Sequence, residues 1–390
     1  MSIGLLLGLL AALGPLAIDL YVPGFPAVAH DLAATAVEVQ LSMVSYFAAL
    51  AFGPLVYGPI TDRLGRRPPL FGGLALFALA SLGCAAAPDI RWLIALRFLQ
   101  GLGGCTGTTI ARSIIRDLHS GAAAARLMAT MYLVLGVSPV LAPLAGSLLL
   151  PWVGWRGLFV TMAVSIALAA ALLAARLPET HGAERRTRHP HRPLRSDLGQ
   201  LLRDGRYLQL VLASAGATAS AFVFVAGAPF VFARHYALAP TSFSLLIGLN
   251  AAGQIIATQF APLLMRRLGA ARLLPRATLL AAGAGALLLL ATLTTGAPLP
   301  MTVALCFAVA CCVGLWLTPA AVAALDAHQS IAGTAAGLMS TAQVAVAALL
   351  TLLTGLLERG DGRGIAAGYL LCGGGAWLLC RRAFARYSTA

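Results

Sequence analysis

The sequence contains no lysine and few charged residues of either sign. All 27 basic residues are arginine, acidic residues number 13, and charged residues make up 10% of the 390-residue chain. Soluble domains carry about 25% charged residues. Apolar residues make up 59% of the chain, which is more than a soluble protein of this length can bury. The composition therefore excludes a soluble enzyme and indicates an integral membrane protein.

Cysteine and histidine are also scarce, and neither is spaced as in a metal site. The seven cysteines fall within apolar stretches, and no Cys-x-x-Cys or Cys/His ligand spacing occurs. His181, His189 and His191 belong to a polar Arg/His/Pro stretch, for which a solvated linker is a better interpretation than a metal site. HExxH and GxSxG motifs are absent too. We therefore expect no metal, no cofactor and no enzymatic activity.

Apolar stretches long enough to cross a bilayer recur along the chain. A membrane-spanning helix needs about 20 mostly apolar residues. We predict an all-α integral membrane protein whose twelve transmembrane helices lie near residues 3–24, 36–61, 69–87, 90–115, 122–150, 155–176, 206–233, 241–265, 273–295, 300–325, 332–357 and 364–385. The first stretch lacks the basic segment that begins a signal peptide, so we interpret it as a retained helix.

The arginines set the orientation of these helices. Of the 27 arginines, 21 fall in the loops and tail on the side of the two termini, five fall in the opposite loops, and Arg97 lies within a span. Because basic loops remain in the cytoplasm, we predict that both termini are cytoplasmic. Arginine without lysine, together with abundant alanine, indicates a GC-rich bacterial genome and hence the bacterial inner membrane. The net charge of +14 then faces anionic lipid headgroups, and nucleic acid is not an expected partner.

The two halves of the chain share short sequence features at a similar offset. The Arg-Leu-Gly triplet that begins at Arg63 recurs at Arg267, an offset of 204 residues, and a similar offset aligns Pro26 with Pro229. Duplicated six-helix halves are a recurrent transporter architecture in which the substrate lies between the repeats. We therefore predict an N-terminal half at 1–177, a cytoplasmic linker at 178–204 and a C-terminal half at 205–390.

Two ionisable residues lie well within the predicted spans, and we expect them to carry the chemistry. Asp19 and Arg97 lie about 8 and 10 Å below the outer surface if a helix rises about 1.5 Å per residue, so we predict that they pair, directly or through water. Burial disfavours an ionised carboxyl group and a nearby guanidinium group favours it. A conformational change that alters either influence would make Asp19 a proton-binding and proton-releasing group. The alternative is a static ion pair that joins spans 1 and 4.

The turn after span 2 resembles the signature of the major facilitator superfamily. The matching residues are Gly58, Asp62, Arg63, Gly65, Arg66 and Arg67. The resemblance implies the major facilitator fold of two pseudo-symmetric halves. It also implies a gate in which Asp62 faces the start of span 11 near Ala332, where a helix N-terminus favours a carboxylate. A solvated anchor is the alternative interpretation of this turn.

Spans 4 and 5 add to the resemblance. Arg97, Gln100 and Gly101 are similar to the superfamily motif associated with proton coupling. Span 5 is similar to the antiporter motif, with small residues at three of its glycine positions, and Pro139, Pro143 and Gly146 form its predicted kink. The prolines would interrupt helical hydrogen bonding and act as a flexing point, or form a kink without motion. The run from Gly14 to Pro23 resembles the Bcr/CflA (bicyclomycin/chloramphenicol resistance) branch of drug:proton antiporters.

The inward faces of the spans supply candidates for a substrate cavity. Amide side chains are costly against lipid, and aromatic side chains supply apolar contact area. The candidates are Tyr21, Tyr46, Gln100, Tyr132, Phe222, Phe230, Asn250, Gln254, Trp316 and Gln343.

These residues and the resemblance together predict a proton-coupled multidrug efflux transporter. We expect it to be a monomer that exchanges protons for small neutral or amphipathic compounds by alternating access. The alternative is a proton-coupled transporter of a physiological metabolite, such as an amino acid or a sugar derivative, although sugar sites need more hydrogen-bonding side chains than the candidates provide.

Overall fold

The computed structural model describes residues 3–119, 121–177, 179–180, 194–358 and 360–385. It divides into two compact units, Met1–Pro190 and His191–Ala390. The division falls within the predicted linker, 178–204, of which residues 178 and 181–193 lie outside the described part of the chain, including His181, His189 and His191.

The first unit is a bundle of long helices. They are α1 Ile3–Asp19, α2 Phe25–Asp31, α3 Ala36–Leu64, α4 Arg67–Ala85, α5 Ile90–Leu118 and α6 Gly121–Arg176. Helix α5 packs closely against α1, α3 and α4 because it presents a glycine to each of them. A Cβ atom on Gly107, Gly101 or Gly103 would overlap backbone atoms of Leu10, Tyr46 or Gly73, respectively. This close packing positions the polar side chains of α5 described below.

The second unit contains seven helices in the described part of the chain. They are α7 Leu194–Arg203, α8 Gly205–Arg234, α9 Pro240–Leu268, α10 Ala270–Thr294, α11 Leu299–Leu325, α12 Ala332–Leu357 and α13 Arg363–Ala385. A 3-10 turn, Asp326–Ile331, joins α11 to α12. Helix α7 lies within the predicted linker, so this part of the linker is helical. These residues alternate leucines with polar side chains at helical spacing, which favours an amphipathic helix.

Asp204 caps α8 and joins it to the 3-10 turn. Its carboxylate accepts hydrogen bonds from the backbone amides of Arg206 and Tyr207, at 2.9 and 3.1 Å, and lies 2.9 Å from Nε2 of His328. Burial raises the pKa of Asp204, but the hydrogen bonds from Tyr207, His328 and Arg206 outweigh it and hold this pKa below its ordinary value.

The predicted number of membrane helices is confirmed. Nine segments of the described chain are long and apolar enough to cross a membrane, and one of them, Val134–Arg176, contains two helices that meet at Gly154. The long helices α5 and α13 complete the set of twelve. The described residues form no strand.

The first span differs from its prediction. Helix α1 ends at Asp19, a 3-10 turn follows at Val22–Gly24, and α2 continues the segment to Asp31. Pro23 and Pro26 cause this interruption because each lacks an amide hydrogen and lies at the start of a helical segment. The first span therefore continues beyond its predicted end at residue 24, and the depth of Asp19 stays a prediction.

Helix α6 contains predicted spans 5 and 6, and it bends at Gly154, within the predicted turn between them. The backbone stays helical at Pro139 and Pro143 and leaves the helical region at Gly154, with φ 65° and ψ 177°. The kink at Pro139, Pro143 and Gly146 stays a prediction. Beyond the bend, Trp155 Nε1 donates to Asp31 Oδ2 at 3.0 Å, so the bend lets the outer part of α6 contact α2.

Gly154→Ala is expected to destabilise the protein by about 1–3 kcal/mol, because its φ and ψ lie in a region that is nearly exclusive to glycine. Gly136 lies in the same helix, and a Cβ atom there meets nothing within 4 Å. Gly136→Ala should therefore be neutral or stabilising by up to about 1 kcal/mol. Unfolding of both variants in mixed detergent micelles tests this, and equal effects would contradict it.

Candidate functional site

Arg97 occupies the centre of a buried polar cluster in the first unit. Its side chain is 0% exposed, and its guanidinium group faces the carboxyl end of α1. One Nη atom donates to the backbone carbonyl of Ala17 at 3.3 Å and to Oε1 of Gln100 at 2.5 Å. The last carbonyl groups of a helix lack intrahelical partners, and a cation is favoured beside them. The broken end of α1 therefore stabilises a buried arginine.

Three aromatic rings surround the same guanidinium group. Its carbon lies 4.2 Å from the ring centre of Tyr46, 4.9 Å from that of Tyr21 and 5.8 Å from that of Phe159. These distances are within the range of cation–π attraction, which is stronger where water is excluded.

Hydrogen bonds fix the groups around Arg97. Gln100 Nε2 donates to Ser81 Oγ at 2.7 Å, and the Tyr46 hydroxyl donates to the Gly14 carbonyl at 2.9 Å. The Tyr21 hydroxyl lies 3.2 Å from Ser42 Oγ. Tyr21, Tyr46 and Gln100 are predicted cavity residues, and the structure places all three, fully buried, around Arg97.

Asp19 ends α1 close to this cluster but does not pair with Arg97. Its side chain is 6% exposed. Within the described chain, its carboxyl group makes no hydrogen bond or ion pair, so the predicted direct contact is not present. The Ala17 carbonyl, Gln100 and the aromatic rings bind the guanidinium group instead. Among the described residues, Nε of Arg97 has no hydrogen-bond partner.

Gly146 of α6 packs against the end of α1. A Cβ atom at this position would overlap the backbone carbonyl of Leu20, the residue after Asp19. The antiporter-motif glycine therefore lets α6 approach the interrupted segment that carries Asp19.

A second polar cluster lies where α3 and α5 end and α4 begins. Arg66 is 5% exposed. Its guanidinium group donates to both carboxylate oxygens of Asp117, at 2.7 and 3.2 Å, and to Thr61 Oγ1 at 3.1 Å. The backbone amides of Arg66 and Arg67 donate to the two carboxylate oxygens of Glu179, at 2.9 and 3.0 Å. This network joins the turn between α3 and α4 to the end of α5 and to the chain after α6.

The remaining motif residues shape the same turn. Gly65 ends α3 with φ 89°, in the region that favours glycine. Arg63 is exposed, and a Cβ atom on Gly58 meets nothing within 4 Å. The side chain of Asp62 lies outside the described residues, so its contact with the start of span 11 near Ala332 stays a prediction.

Asp117 and Glu179 were not among the functional residues predicted from the sequence. A signal was available in the charge pattern. Carboxylates are rare among the arginine-rich inner loops, and an acidic residue there marks a position where a specific arginine has a partner.

The cavity candidates of the second unit divide by burial. Trp316 and Phe230 are buried, and Trp316 Nε1 donates to the Ala213 carbonyl at 3.1 Å. Gln343 Nε2 donates to Ser214 Oγ at 3.1 Å, and Asn250 Nδ2 donates to the Leu246 carbonyl at 3.1 Å. Phe222 and Gln254 are half-buried, and the Tyr132 side chain of the first unit lies outside the described residues.

Comparisons with known proteins identify the family. The model of the Major Facilitator Superfamily matches residues 7–351. The chain belongs to the Major Facilitator Superfamily. It is therefore a secondary transporter and a multi-pass membrane protein, not an enzyme. In its described residues, no group of three His, Cys, Asp or Glu side chains could hold a metal ion.

Two relatives align along most of this transporter. It is 34% identical to the "Uncharacterized MFS-type transporter YdgK" of Bacillus subtilis over 92% of the chain and 89% of that protein. It is 28% identical to a "Bicyclomycin resistance protein homolog" of Haemophilus influenzae over 91% and 89%. Among solved structures, a bacterial homologue of the human lysosomal transporter Spinster matches with a TM-score of 0.80 at 16% identity, over 98% of this chain and 97% of the other. That likeness shows the fold alone.

Proposed function

We propose that the protein is a proton-coupled exporter of small amphipathic or neutral compounds in the bacterial inner membrane, with both termini in the cytoplasm. The observation that carries the proposal is the buried carboxyl group of Asp19, which has no partner among the described residues. Asp19 ends α1, and the guanidinium group of Arg97 contacts the same end of that helix. An ionisable group inside a membrane protein is costly and marks an ion or substrate pathway.

The arrangement gives Asp19 and Arg97 complementary roles. Ionised Asp19 attracts the guanidinium group, whose Nε has no described partner. A proton on Asp19 removes this attraction and leaves Arg97 with the Ala17 carbonyl, Gln100 and the aromatic rings. Proton binding thereby repositions a cation beside Tyr21 and Tyr46, which we assign to the substrate pathway.

The opposite end of the bundle supplies the gate in this proposal. Alternating access of the two halves requires contacts that form in one state and break in the other. We assign this role to the turn from Gly58 to Arg67, which Asp117 and Glu179 hold within the first unit. Asp62 is then the residue that contacts the second half.

The relatives support export of drugs over uptake of a metabolite. A relative named as a bicyclomycin resistance protein homologue aligns over 91% of this chain. The run from Gly14 to Pro23, which resembles the Bcr/CflA branch, contains Asp19. We therefore assign the protein to that branch.

Expression in a bacterium that lacks its own exporters tests the proposal. Cells that produce the protein should tolerate members of a panel of toxic amphipathic compounds, and they should accumulate less of those compounds than control cells. An uncoupler that collapses the proton gradient should remove the difference. Absence of protection, together with accumulation that the uncoupler does not change, would overturn the proposal.

A further inference from the structure

A basic groove lies in the second unit, and none of the residues assigned to transport lines it. It has a volume of about 500 Å³ and is lined by Arg276 and Leu279 of α10 and by Trp377, Arg381 and Phe384 of α13. Ala271 at the start of α10 and Ala385 at the end of α13 also line it. The groove therefore lies at one end of the helical bundle, where a membrane helix meets the headgroup layer.

The groove carries positive charge without neighbouring carboxylates. Both Arg276 and Arg381 are exposed, and neither forms an ion pair within the described chain. Helices α10 and α13 contain no acidic residue, and Arg272 and Arg382 add two further exposed arginines to the same helix ends. Such a surface attracts an anion.

Aromatic rings hold part of this charge in place. The guanidinium carbon of Arg381 lies 5.1 Å from the ring centre of Trp377, one helical turn earlier. Arg206, from the start of α8, lies 5.6 Å from the ring centre of Phe384 behind the groove. Trp377 and Phe384 are half-buried. Stacked arginines keep their N–H donors directed outward, and planar donors of this kind suit phosphate.

The outer face of α10 continues the groove with apolar surface. Leu279 at the wall of the groove is 51% exposed, and Leu280 and Leu287 further along the helix are 67% and 49% exposed. In a membrane, such side chains contact lipid chains. The groove therefore offers donors for an anionic head beside a wall for a hydrocarbon tail, which matches one amphipathic anion and fits free phosphate poorly.

We propose that this basic groove binds one anionic phospholipid, with the phosphate between Arg276 and Arg381, its headgroup against Trp377, and an acyl chain along Leu279 and α10. Basic pockets between membrane helices at the headgroup level are suited to such lipids. The proposal rests on the membrane fold alone and is independent of the exported compound.

Lipid retention by the purified full-length protein tests the proposal. The protein in a neutral detergent is titrated with phosphatidylglycerol, phosphatidylcholine or inorganic phosphate. Bound lipid is counted by native mass spectrometry, and the melting temperature is measured in parallel. Each arginine near an anionic headgroup contributes a factor of about five in affinity. Arg276→Gln/Arg381→Gln should therefore bind phosphatidylglycerol about thirty-fold more weakly, whereas Arg276→Lys/Arg381→Lys, which keeps the charge, should retain most of the affinity.

The control removes the same charge elsewhere at this end of the unit. Arg266 and Arg267 are exposed at the end of α9, the helix before α10, and do not line the groove. Arg266→Gln/Arg267→Gln should leave phosphatidylglycerol binding within about two-fold of the unmodified protein. Equal losses in the two glutamine pairs, equal binding of phosphatidylcholine, or an equal rise in melting temperature with inorganic phosphate would each overturn the proposal. Should the Arg276 and Arg381 pair fail to fold, quenching of Trp377 by brominated phosphatidylglycerol in the unmodified protein, absent in Trp377→Phe, decides it.

Discussion

Asp19→Asn should reduce proton-driven export to the level of cells without the transporter. Asparagine has nearly the same shape as aspartate but cannot bind and release a proton. Because the Asp19 carboxyl group makes no hydrogen bond within the described chain, the substitution removes no contact that stabilises the fold. The measurement is substrate efflux from inverted or right-side-out vesicles under an imposed pH gradient, with the amount of inserted protein determined in parallel.

Asp31→Asn is the matched control for this result. Asp31 ends α2 in the same segment of chain, and its carboxylate contacts Arg156 at the surface, where their side chains are 46% and 44% exposed. An exposed ion pair contributes little to stability, so this variant should export almost normally. Full coupled export by Asp19→Asn would refute the assignment of the proton site. Equal losses in both variants would trace the defect to the segment rather than to the carboxyl group.

The ends of most helices follow from the sequence because each apolar run stops at residues that a membrane does not accept. The predicted span 300–325 became Leu299–Leu325, and 332–357 became Ala332–Leu357. The first span was harder to predict because hydropathy does not register an interruption between apolar residues. The two prolines that cause the break were visible, but their effect on the position of Asp19 depends on backbone geometry.

Contacts within the site were less predictable than the residues that make them. The cost of charge inside a membrane singled out Asp19 and Arg97, and their chemistry favoured an ion pair. The structure instead gives Arg97 a helix end, an amide oxygen and three rings. The sequence alone cannot show that neutral groups are enough to stabilise a buried cation. That depends on how many such groups the fold brings to the guanidinium group.

The two parts of α6 differ in how far the sequence predicts their geometry. Pro139 and Pro143 indicated a kink, yet a membrane helix accommodates proline when neighbouring groups satisfy the freed carbonyls. Gly154, in contrast, lies in the predicted turn between the spans 122–150 and 155–176, so the sequence did indicate a break there.

The two polar clusters of the first unit lie at separate levels of one helix. Arg97 and Asp117 are both on α5, and twenty residues of helix span about 30 Å. Substitutions in the two clusters should therefore have additive effects on stability. Loss of export in Asp19→Asn can then be assigned to the cluster around Arg97, and loss of stability in variants of Arg66 or Asp117 to the cluster around Arg66.

Arg66→Met and Asp117→Leu should each destabilise the protein by about 3–5 kcal/mol, because each leaves a buried charge without its partner. The side chains of Arg66 and Asp117 are 6% and 12% exposed, and two hydrogen bonds join them. The double variant Arg66→Met/Asp117→Leu removes both charges at once. It should recover about 1–3 kcal/mol relative to the sum of the single variants. The free energy of unfolding in mixed micelles gives these values.

Arg63→Met is the control that distinguishes the loss of this ion pair from the general effect of removing an arginine. Arg63 lies in the same turn but is exposed, so its substitution should change the free energy of unfolding by less than about 0.5 kcal/mol. If the double variant were as unstable as the two single variants added together, the ion pair would not stabilise the turn. The Glu179 carboxylate, which binds the backbone amides of Arg66 and Arg67, would then be the group that holds it. Recovery of stability in the double variant would instead show that the two buried charges act as one pair. The turn is then fixed by a contact that loss of charge on either Arg66 or Asp117 can release.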